Sequence, residues 1–181
     1  MNKPKYVVGN LFELMPTTEP VVVPHICNDL GGWGSGFVVP LGKKYPDAEK
    51  AYREWHRVRF DPCLSLSLPN MFRLGNIQVI PCMPKETESR EALLWVANMI
   101  AQHGTVTRPM TDDGRPPVRY GAVASCLRKV AQFIEETDLL FEIHAPKFGA
   151  GLAGGNWDFI EELIREEWLD KGIPVTIYSL E

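Results

Sequence analysis

The sequence reads Pro146-Lys147-Phe148-Gly149-Ala150-Gly151-Leu152-Ala153-Gly154-Gly155-Asn156-Trp157 where an apolar segment gives way to one of helical periodicity. Glycines allow positive φ angles and a close approach of another molecule to the backbone. A loop of this kind before a helix presents free N–H groups to anions. The stretch therefore predicts a phosphate-binding loop, although a simple tight turn explains its glycines equally well when it is taken alone.

The composition describes an ordinary globular chain. With 181 residues we expect one domain over 1–181. There is no apolar run of membrane-spanning length and no leader, so we expect a cytoplasmic protein without a membrane partner. The net charge of −4 lacks the footprint of a nucleic-acid binder. The four cysteines show no metal-ligand spacing, so we expect reduced, mostly buried thiols, no metal site and no cofactor.

Hydrophobic patterns predict an α/β protein. The valine-rich segment 20–24 is typical of a strand that is covered on both faces. Further strands are predicted at 6–8, 76–83, 93–100, 139–145 and 173–180. Helices are predicted at 37–44, from residue 47, at 118–136 and at 157–169. Segments 76–83 and 93–100 are read as a hairpin, 108–117 as a surface loop, and 62–69 is left open between extended chain and a loop. The number and order of these strands and helices indicate a three-layer α/β/α fold around a mixed sheet of about six strands.

A second glycine-rich turn follows the valine-rich strand. It reads Leu30-Gly31-Gly32-Trp33-Gly34-Ser35-Gly36-Phe37. Ligand sites in such sheets lie beyond the carboxyl ends of the strands. Two glycine loops at neighbouring strand ends favour a clasp that holds a diphosphate with backbone amides. Neither loop has the lysine-containing pattern of a P-loop nucleoside triphosphatase.

Four segments in this order resemble the macrodomain family. They are Gly9-Asn10-Leu11-Phe12, His25-Ile26-Cys27-Asn28 with Gly32 to Gly36, Tyr45-Pro46-Asp47-Ala48-Glu49, and Phe148 to Trp157. The resemblance extends from Tyr6 to Tyr178 and is strongest to the Appr-1-p processing branch, the ADP-ribose-1''-phosphate phosphatases and their microbial and phage relatives. It implies a macrodomain-like fold and ADP-ribose or a derivative as ligand.

The resemblance also implies ligand-binding positions. Asn10 and Leu11 would lie at the adenine end, where the family usually has Asp at the position of Asn10. Tyr178 matches an aromatic residue that covers the adenine, and a sheet-face tyrosine is the alternative. The remaining positions would hold the two sides of the diphosphate: Gly34, Ser35, Gly36 and Phe37 on one side, and Phe148, Gly149, Ala150, Gly151 and Leu152 on the other.

Catalytic candidates are fewer. The human terminal ADP-ribose glycohydrolase, a macrodomain relative, uses a lysine and an aspartate, and this chain has Gln102 or His103 and Ala153 at those positions. The candidates near the distal ribose are therefore His25, Asn28 and Asp29, with His103 as a further neighbour. Asn28 would bond the ribose hydroxyls. His25 suits proton transfer near neutral pH or is a satisfied core histidine. Asp29 is a general base or a residue that shapes its own loop.

We expect ADP-ribose binding and hydrolysis of a group from the distal ribose, with ADP-ribose-1''-phosphate as the first substrate. Two alternatives stay open: a non-catalytic reader of ADP-ribosylated protein or nucleic acid, and an enzyme that removes ADP-ribose or acetyl groups. The basic segment 53–59 is read as a solvated helix face, and His144 as a core residue.

Overall fold

The computed structural model describes residues 3–16, 18–59, 71–83, 94–105, 107–109 and 114–180. The segment 62–69, the connector 85–91 and Cys63 lie outside these residues. In the described part of the chain, no helix is long and apolar enough to cross a membrane.

A mixed six-stranded sheet forms the middle layer, as predicted. Its strands are β1 Lys5–Val8, β2 Val21–Asn28, β3 Ile77–Cys82, β4 Leu94–Gln102, β7 Glu142–Pro146 and β8 Val175–Ser179. The strand order is β1-β8-β7-β2-β4-β3. All neighbouring strands are parallel except β3 and β4, which form the predicted antiparallel hairpin with Ile77 opposite Met99.

A short two-stranded pairing lies outside this sheet. Here β5 Gly104–Thr105 pairs with β6 Arg108–Pro109. The prediction of a surface loop over 108–117 was therefore wrong for its first two residues, because two residues of backbone pairing carry too little pattern to be read from sequence.

Helices cover both faces of the sheet. They are α1 Leu11–Leu14, α2 Val38–Lys44, α3 Pro46–Val58, α4 Tyr120–Glu135 and α5 Trp157–Glu167, and the 3₁₀ turn Leu169–Lys171 follows α5. The valine-rich strand β2 explains how the two layers are held. Val22 packs into the core under α4 and α5, whereas Val21 and Val23 pack into the core under α1, α2 and α3. Alternate side chains of one strand thus anchor both helical layers.

The parallel strands bring their carboxyl ends to one edge of the sheet. At this edge β7 lies beside β2, and β2 lies beside β4. The stretch 147–156 follows β7, the stretch 29–37 follows β2, and His103 follows β4. The fold therefore gathers both glycine-rich loops and His103 at the edge where ligands bind in open α/β sheets.

Candidate functional site

The two glycine-rich loops face each other. We call residues 29–37 the β2 loop and residues 147–156 the β7 loop. Gly36 has φ +74°, and a Cβ atom built on it would lie 3.4 Å from Cδ1 of Leu152. The Leu152 side chain, 60% exposed, therefore lies over Gly36 and links the rims of the loops.

Each loop presents a run of backbone N–H groups without a protein partner. We call residues 34–36 and 149–152 the amide runs. Within the described residues, the N–H groups of both runs donate no hydrogen bond. Gly34, Ser35 and Gly36 are exposed, and so are Gly151 and Leu152, whereas Gly149 and Ala150 are half-buried. Unpaired N–H groups in glycine-rich turns form concavities that bind anions.

Asn28 closes the β2 loop. Its Oδ1 accepts the N–H groups of Leu30 and Gly32 at 3.0 and 2.9 Å, and its Nδ2 donates to the Gly32 carbonyl at 2.8 Å. The Tyr52 hydroxyl donates to the Asn28 carbonyl. The Asn28 side chain, which the family resemblance predicts at the distal ribose, thus shapes the loop, and one of its Nδ2 hydrogens has no partner among the described residues.

Arg53 holds the same loop from α3. Its guanidinium donates to the carbonyls of Gly31 and Trp33 at 3.5 and 3.4 Å. It also pairs with Glu49 one turn earlier in the helix. Arg53 is therefore a support of the β2 loop, and its 52% exposed side chain still lies on the solvated face predicted for segment 53–59.

The β7 loop is closed by its own backbone. The Gly155 N–H donates to the Gly149 carbonyl at 2.8 Å, and a Cβ atom on Gly155 would lie 2.6 Å from that oxygen. Asn156 then caps α5, since its side chain accepts the Asp158 N–H. Phe148 and Ala153 are buried, so their side chains belong to the core under α4 and α5.

His25 lies in the core. It is 2% exposed, and its Nε2 lies 2.6 Å from Oδ1 of Asn98. The Asn98 amide nitrogen donates to the Ala48 carbonyl, so the amide oxygen faces His25 and the imidazole donates. Burial lowers the pKa of His25 to about 4. This geometry fits the alternative of a satisfied core histidine that the sequence left open.

Asp29 and His103 form a side-chain pair at the ends of β2 and β4. His103 Nδ1 lies 2.5 Å from Asp29 Oδ2, and Asp29 Oδ1 accepts the Gly104 N–H at 2.8 Å. The His103 side chain is 28% exposed, and the Asp29 side chain is 17% exposed. An imidazole held by a carboxylate is an arrangement that supports proton transfer.

The predicted adenine end has less accessible side chains than expected. The side-chain oxygen of Asn10 accepts the Phe12 N–H at 3.0 Å and caps α1. Leu11 is buried. Tyr178 is 5% exposed, and its hydroxyl lies 2.7 Å from Nδ1 of His144, which fits the alternative of a sheet-face tyrosine. Phe37 is half-buried and stacks on Phe12 with ring centroids 5.3 Å apart.

Sequence reasoning missed the partners that organise this edge. It named His103 only as a neighbour and did not pair it with Asp29, from which it is separated by 74 positions. It also missed Tyr52 and Arg53 as supports of the β2 loop. The available signal was topological, since residues that follow adjacent parallel strands end at the same edge. In the described residues, no group of three or more His, Cys, Asp or Glu side chains is placed to hold a metal ion.

Curated proteins similar to this chain include an ADP-ribose 1''-phosphate phosphatase of Candida albicans. It is 25% identical over 166 residues, which cover 90% of this chain and 92% of the yeast protein. Chromodomain-helicase-DNA-binding protein 1-like of mouse is 26% identical over 174 residues, and the chain spans only 17% of its length. No family model matches the chain.

Two solved structures are more than 35% identical to this chain. A protein of unknown function from Bacteroides thetaiotaomicron is 38% identical with a TM-score of 0.79, and the match covers 97% of both chains. Thermosipho africanus DarTG in complex with ADP-ribose has a TM-score of 0.68 at 15% identity over 42% of its chain, which shows the likeness of fold alone. A macrodomain protein from Streptomyces coelicolor is 37% identical with a TM-score of 0.73, over 98% of this chain and 99% of the other. This identity and coverage show that the chain belongs to the macrodomain family. Because its curated relatives include an ADP-ribose 1''-phosphate phosphatase, it is a macrodomain of the Appr-1-p processing type.

Proposed function

We propose that this protein binds ADP-ribose derivatives with the diphosphate between the β2 and β7 loops, and that it hydrolyses a group from the distal ribose. ADP-ribose-1''-phosphate is the proposed substrate, and ADP-ribose and inorganic phosphate are the products. The two facing amide runs, 34–36 and 149–152, carry the binding part of this proposal.

The amide runs suit a diphosphate for an electrostatic reason. Backbone N–H groups hold anionic oxygens without a cationic side chain, and the β7 loop leads directly into the N-terminus of α5. This matches a chain whose net charge is −4. Diphosphate binding by fixed backbone dipoles needs a scaffold that orients them, and Asn28 and Arg53 supply one for the β2 loop.

The relatives support the substrate. The Candida albicans relative, which the chain matches over nearly its whole length, is named an ADP-ribose 1''-phosphate phosphatase. The Thermosipho africanus DarTG structure, 42% of which matches this chain in fold, is a complex with ADP-ribose. Both facts favour a ligand with the ADP-ribose skeleton over other diphosphates.

Binding is tested by calorimetry with ADP-ribose on Gly34→Val and Gly151→Val. A Cβ atom at either position meets no atom within 4 Å, so the folded chain has room for the new side chain. A branched side chain there keeps a phosphate away from the amides, and we expect Kd to rise at least about tenfold, equivalent to about 1.4 kcal/mol. The matched control is Gly121→Ala on α4, where a Cβ atom is equally unobstructed.

Wild-type affinity in both valine variants, or no ADP-ribose binding by the wild-type protein, would contradict the clasp. Turnover is tested separately, by phosphate release from ADP-ribose-1''-phosphate. Parallel incubations contain ADP-ribosylated protein, ADP-ribosylated DNA and O-acetyl-ADP-ribose. Binding without turnover of any of the four would overturn the hydrolase proposal and favour a reader, whereas turnover of another substrate alone would reassign the leaving group.

A further inference from the structure

We propose that His103 is the catalytic acid–base residue at this site and that Asp29 is its positioning residue. This inference rests on the proposed hydrolysis at the distal ribose and assigns the residue that moves the proton. The chain has no lysine at residue 102 or 103 and has Ala153 in the β7 loop, so the proton transfer needs another carrier.

The pair is anchored from both strands. The Asp29 backbone N–H donates to the Gln102 carbonyl at 3.0 Å, and the Asp29 carboxylate accepts the Gly104 N–H at 2.8 Å. His103 lies between these two attachment points along the chain. Its side chain is thus held against Asp29 by the pairing of adjacent strand ends, which makes the 2.5 Å contact between Nδ1 and Oδ2 a property of the fold.

The contact fixes which ring nitrogen can accept a proton. Asp29 is acceptor-only when ionised, so the neutral imidazole donates from Nδ1. Its Nε2 then carries the lone pair. Within the described residues, no hydrogen bond occupies His103 Nε2. A carboxylate that holds an imidazole in this tautomer, and stabilises the imidazolium once it forms, is the arrangement of a general base.

The pair is also connected to both loops. Asp29 directly follows Asn28, which closes the β2 loop. The His103 N–H donates to the Pro117 carbonyl at 2.8 Å, and the next residue, Val118, donates its N–H to the Ala153 carbonyl of the β7 loop at 3.2 Å. A single chain of backbone contacts therefore connects His103 to the β7 loop, while its carboxylate partner belongs to the β2 loop.

The chemistry balances with water as the nucleophile. Water oxygen forms a bond to the phosphorus of the 1''-phosphate as its proton passes to His103 Nε2. The bond between phosphorus and the ribose oxygen breaks, and the imidazolium returns the proton to that oxygen. ADP-ribose and phosphate leave, and His103 regains its starting state without an external oxidant or reductant.

His25 is a poorer candidate for this step. Its Nε2 donates to the buried Asn98 oxygen, and its ring packs edge-on against Trp33 with centroids 5.3 Å apart. At 2% exposure its side chain is almost completely removed from solvent. Within the described residues, the half-buried imidazole of His103 is paired with a carboxylate at the loop edge, whereas that of His25 is not.

The test measures kcat, KM and ADP-ribose Kd for His103→Ala, Asp29→Asn and the control Asp138→Asn, an exposed aspartate far along the chain. We expect His103→Ala to lower kcat by about 100-fold or more with Kd changed less than about twofold. Added imidazole should restore part of the kcat of His103→Ala. In Asp29→Asn the amide oxygen can still accept the Gly104 N–H while its nitrogen faces Nδ1, which reverses the tautomer and removes the lone pair from Nε2. We therefore expect a comparable fall in kcat that imidazole does not restore.

Three outcomes decide the inference. The inference is supported if the wild type turns over the substrate and His103→Ala loses kcat, keeps its Kd for ADP-ribose and regains activity with added imidazole. Wild-type turnover that survives in His103→Ala, or a loss that appears as weaker ADP-ribose binding in a folded variant, overturns the role of His103 and leaves the proposed function standing. A wild-type protein that binds ADP-ribose but hydrolyses none of the substrates overturns both.

Discussion

His25 shows how a buried hydrogen bond differs from a catalytic one. Replacement by Phe keeps an aromatic ring against Trp33 and Phe37, and it removes the donor to Asn98 together with the contact between Nδ1 and the Cys27 thiol at 3.8 Å. A buried acceptor left without its donor costs about 1–3 kcal/mol. We expect His25→Phe to lower the free energy of unfolding by that amount at pH 7 in urea denaturation. A loss below about 0.5 kcal/mol would mean that Asn98 finds another donor.

The same histidine predicts the direction of a pH effect. Burial lowers the pKa of His25 from 6.5 to about 4, so between these values the unfolded chain binds more protons than the folded one. His25 therefore destabilises the fold progressively as pH falls from 6.5 to 4, by about 3 kcal/mol in full. The neighbouring Cys27 stays a neutral thiol, because burial raises its pKa.

His25→Phe is also the control for this effect, because it lacks the titrating group. The stability difference between the wild type and this variant should shrink from pH 7 toward pH 4. His144, whose pKa burial also lowers, titrates in both proteins and cancels in the difference. A difference that stays constant over this range would contradict a neutral, buried His25.

Residue roles were only partly predictable from sequence. His25 ends a valine-rich strand and adjoins a glycine loop, and those facts suit a core residue and a catalytic residue equally well. Its partner Asn98 and the partner of His103, Asp29, are separated from them by 73 and 74 positions. Local patterns contain no information on such pairs, which depend on strand order.

At the scale of elements, the β7 loop separates glycines that close the loop from glycines that face the ligand. A Cβ atom on Gly155 would meet the Gly149 carbonyl at 2.6 Å, whereas one on Gly151 meets nothing within 4 Å. We expect Gly155→Ala to destabilise the protein by about 1–3 kcal/mol, as in overpacked sites. Gly151→Ala should change stability by less than about 0.5 kcal/mol. Thermal unfolding of the two variants checks this contrast, and equal effects would contradict the loop geometry.

Element types followed from periodicity, whereas their ends did not. The predicted helix 118–136 is Tyr120–Glu135, and the predicted strand 173–180 is Val175–Ser179. The hairpin of β3 and β4 was identified, but its register depends on side-chain packing against both helical layers and could not be read. The supports of the β2 loop were missed because Tyr52 and Arg53 belong to a helix whose own pattern is complete without them.

At the scale of the whole molecule, the sequence indicated the layered fold because a strand that is buried on both faces, such as β2, has a continuous run of apolar residues. It also indicated that the ligand site lies at the carboxyl edge of the sheet, because glycine-rich segments follow two strands. What it lacked was the strand order β7-β2-β4, which turns three separate segments into one site.

The whole-molecule arrangement predicts that the two loops act on ligand binding as one unit. ADP-ribose at about 100 times its Kd should stabilise the wild type by about 2.7 kcal/mol, a rise in Tm of roughly 5–11 °C for a chain of this size. Gly34→Val and Gly151→Val should each reduce this rise. Because one diphosphate contacts both loops, a ligand displaced from one loop has already lost its position in the other. The double variant should therefore lose less binding free energy than the sum of the single variants, a coupling that a double-mutant cycle measures.

The cycle needs one control, because Leu152 contacts Gly36 and the loops touch without ligand. Without ligand, the change in Tm of the double variant should equal the sum of the changes in the two single variants. The coupling measured with ADP-ribose then comes from the ligand. Additive losses of binding would instead indicate two independent anion sites, one in each loop. That result would contradict a diphosphate that spans the carboxyl ends of β2 and β7. For such a ligand, the losses of binding free energy from the two loops are not additive, because displacement from one loop already removes the contacts with the other.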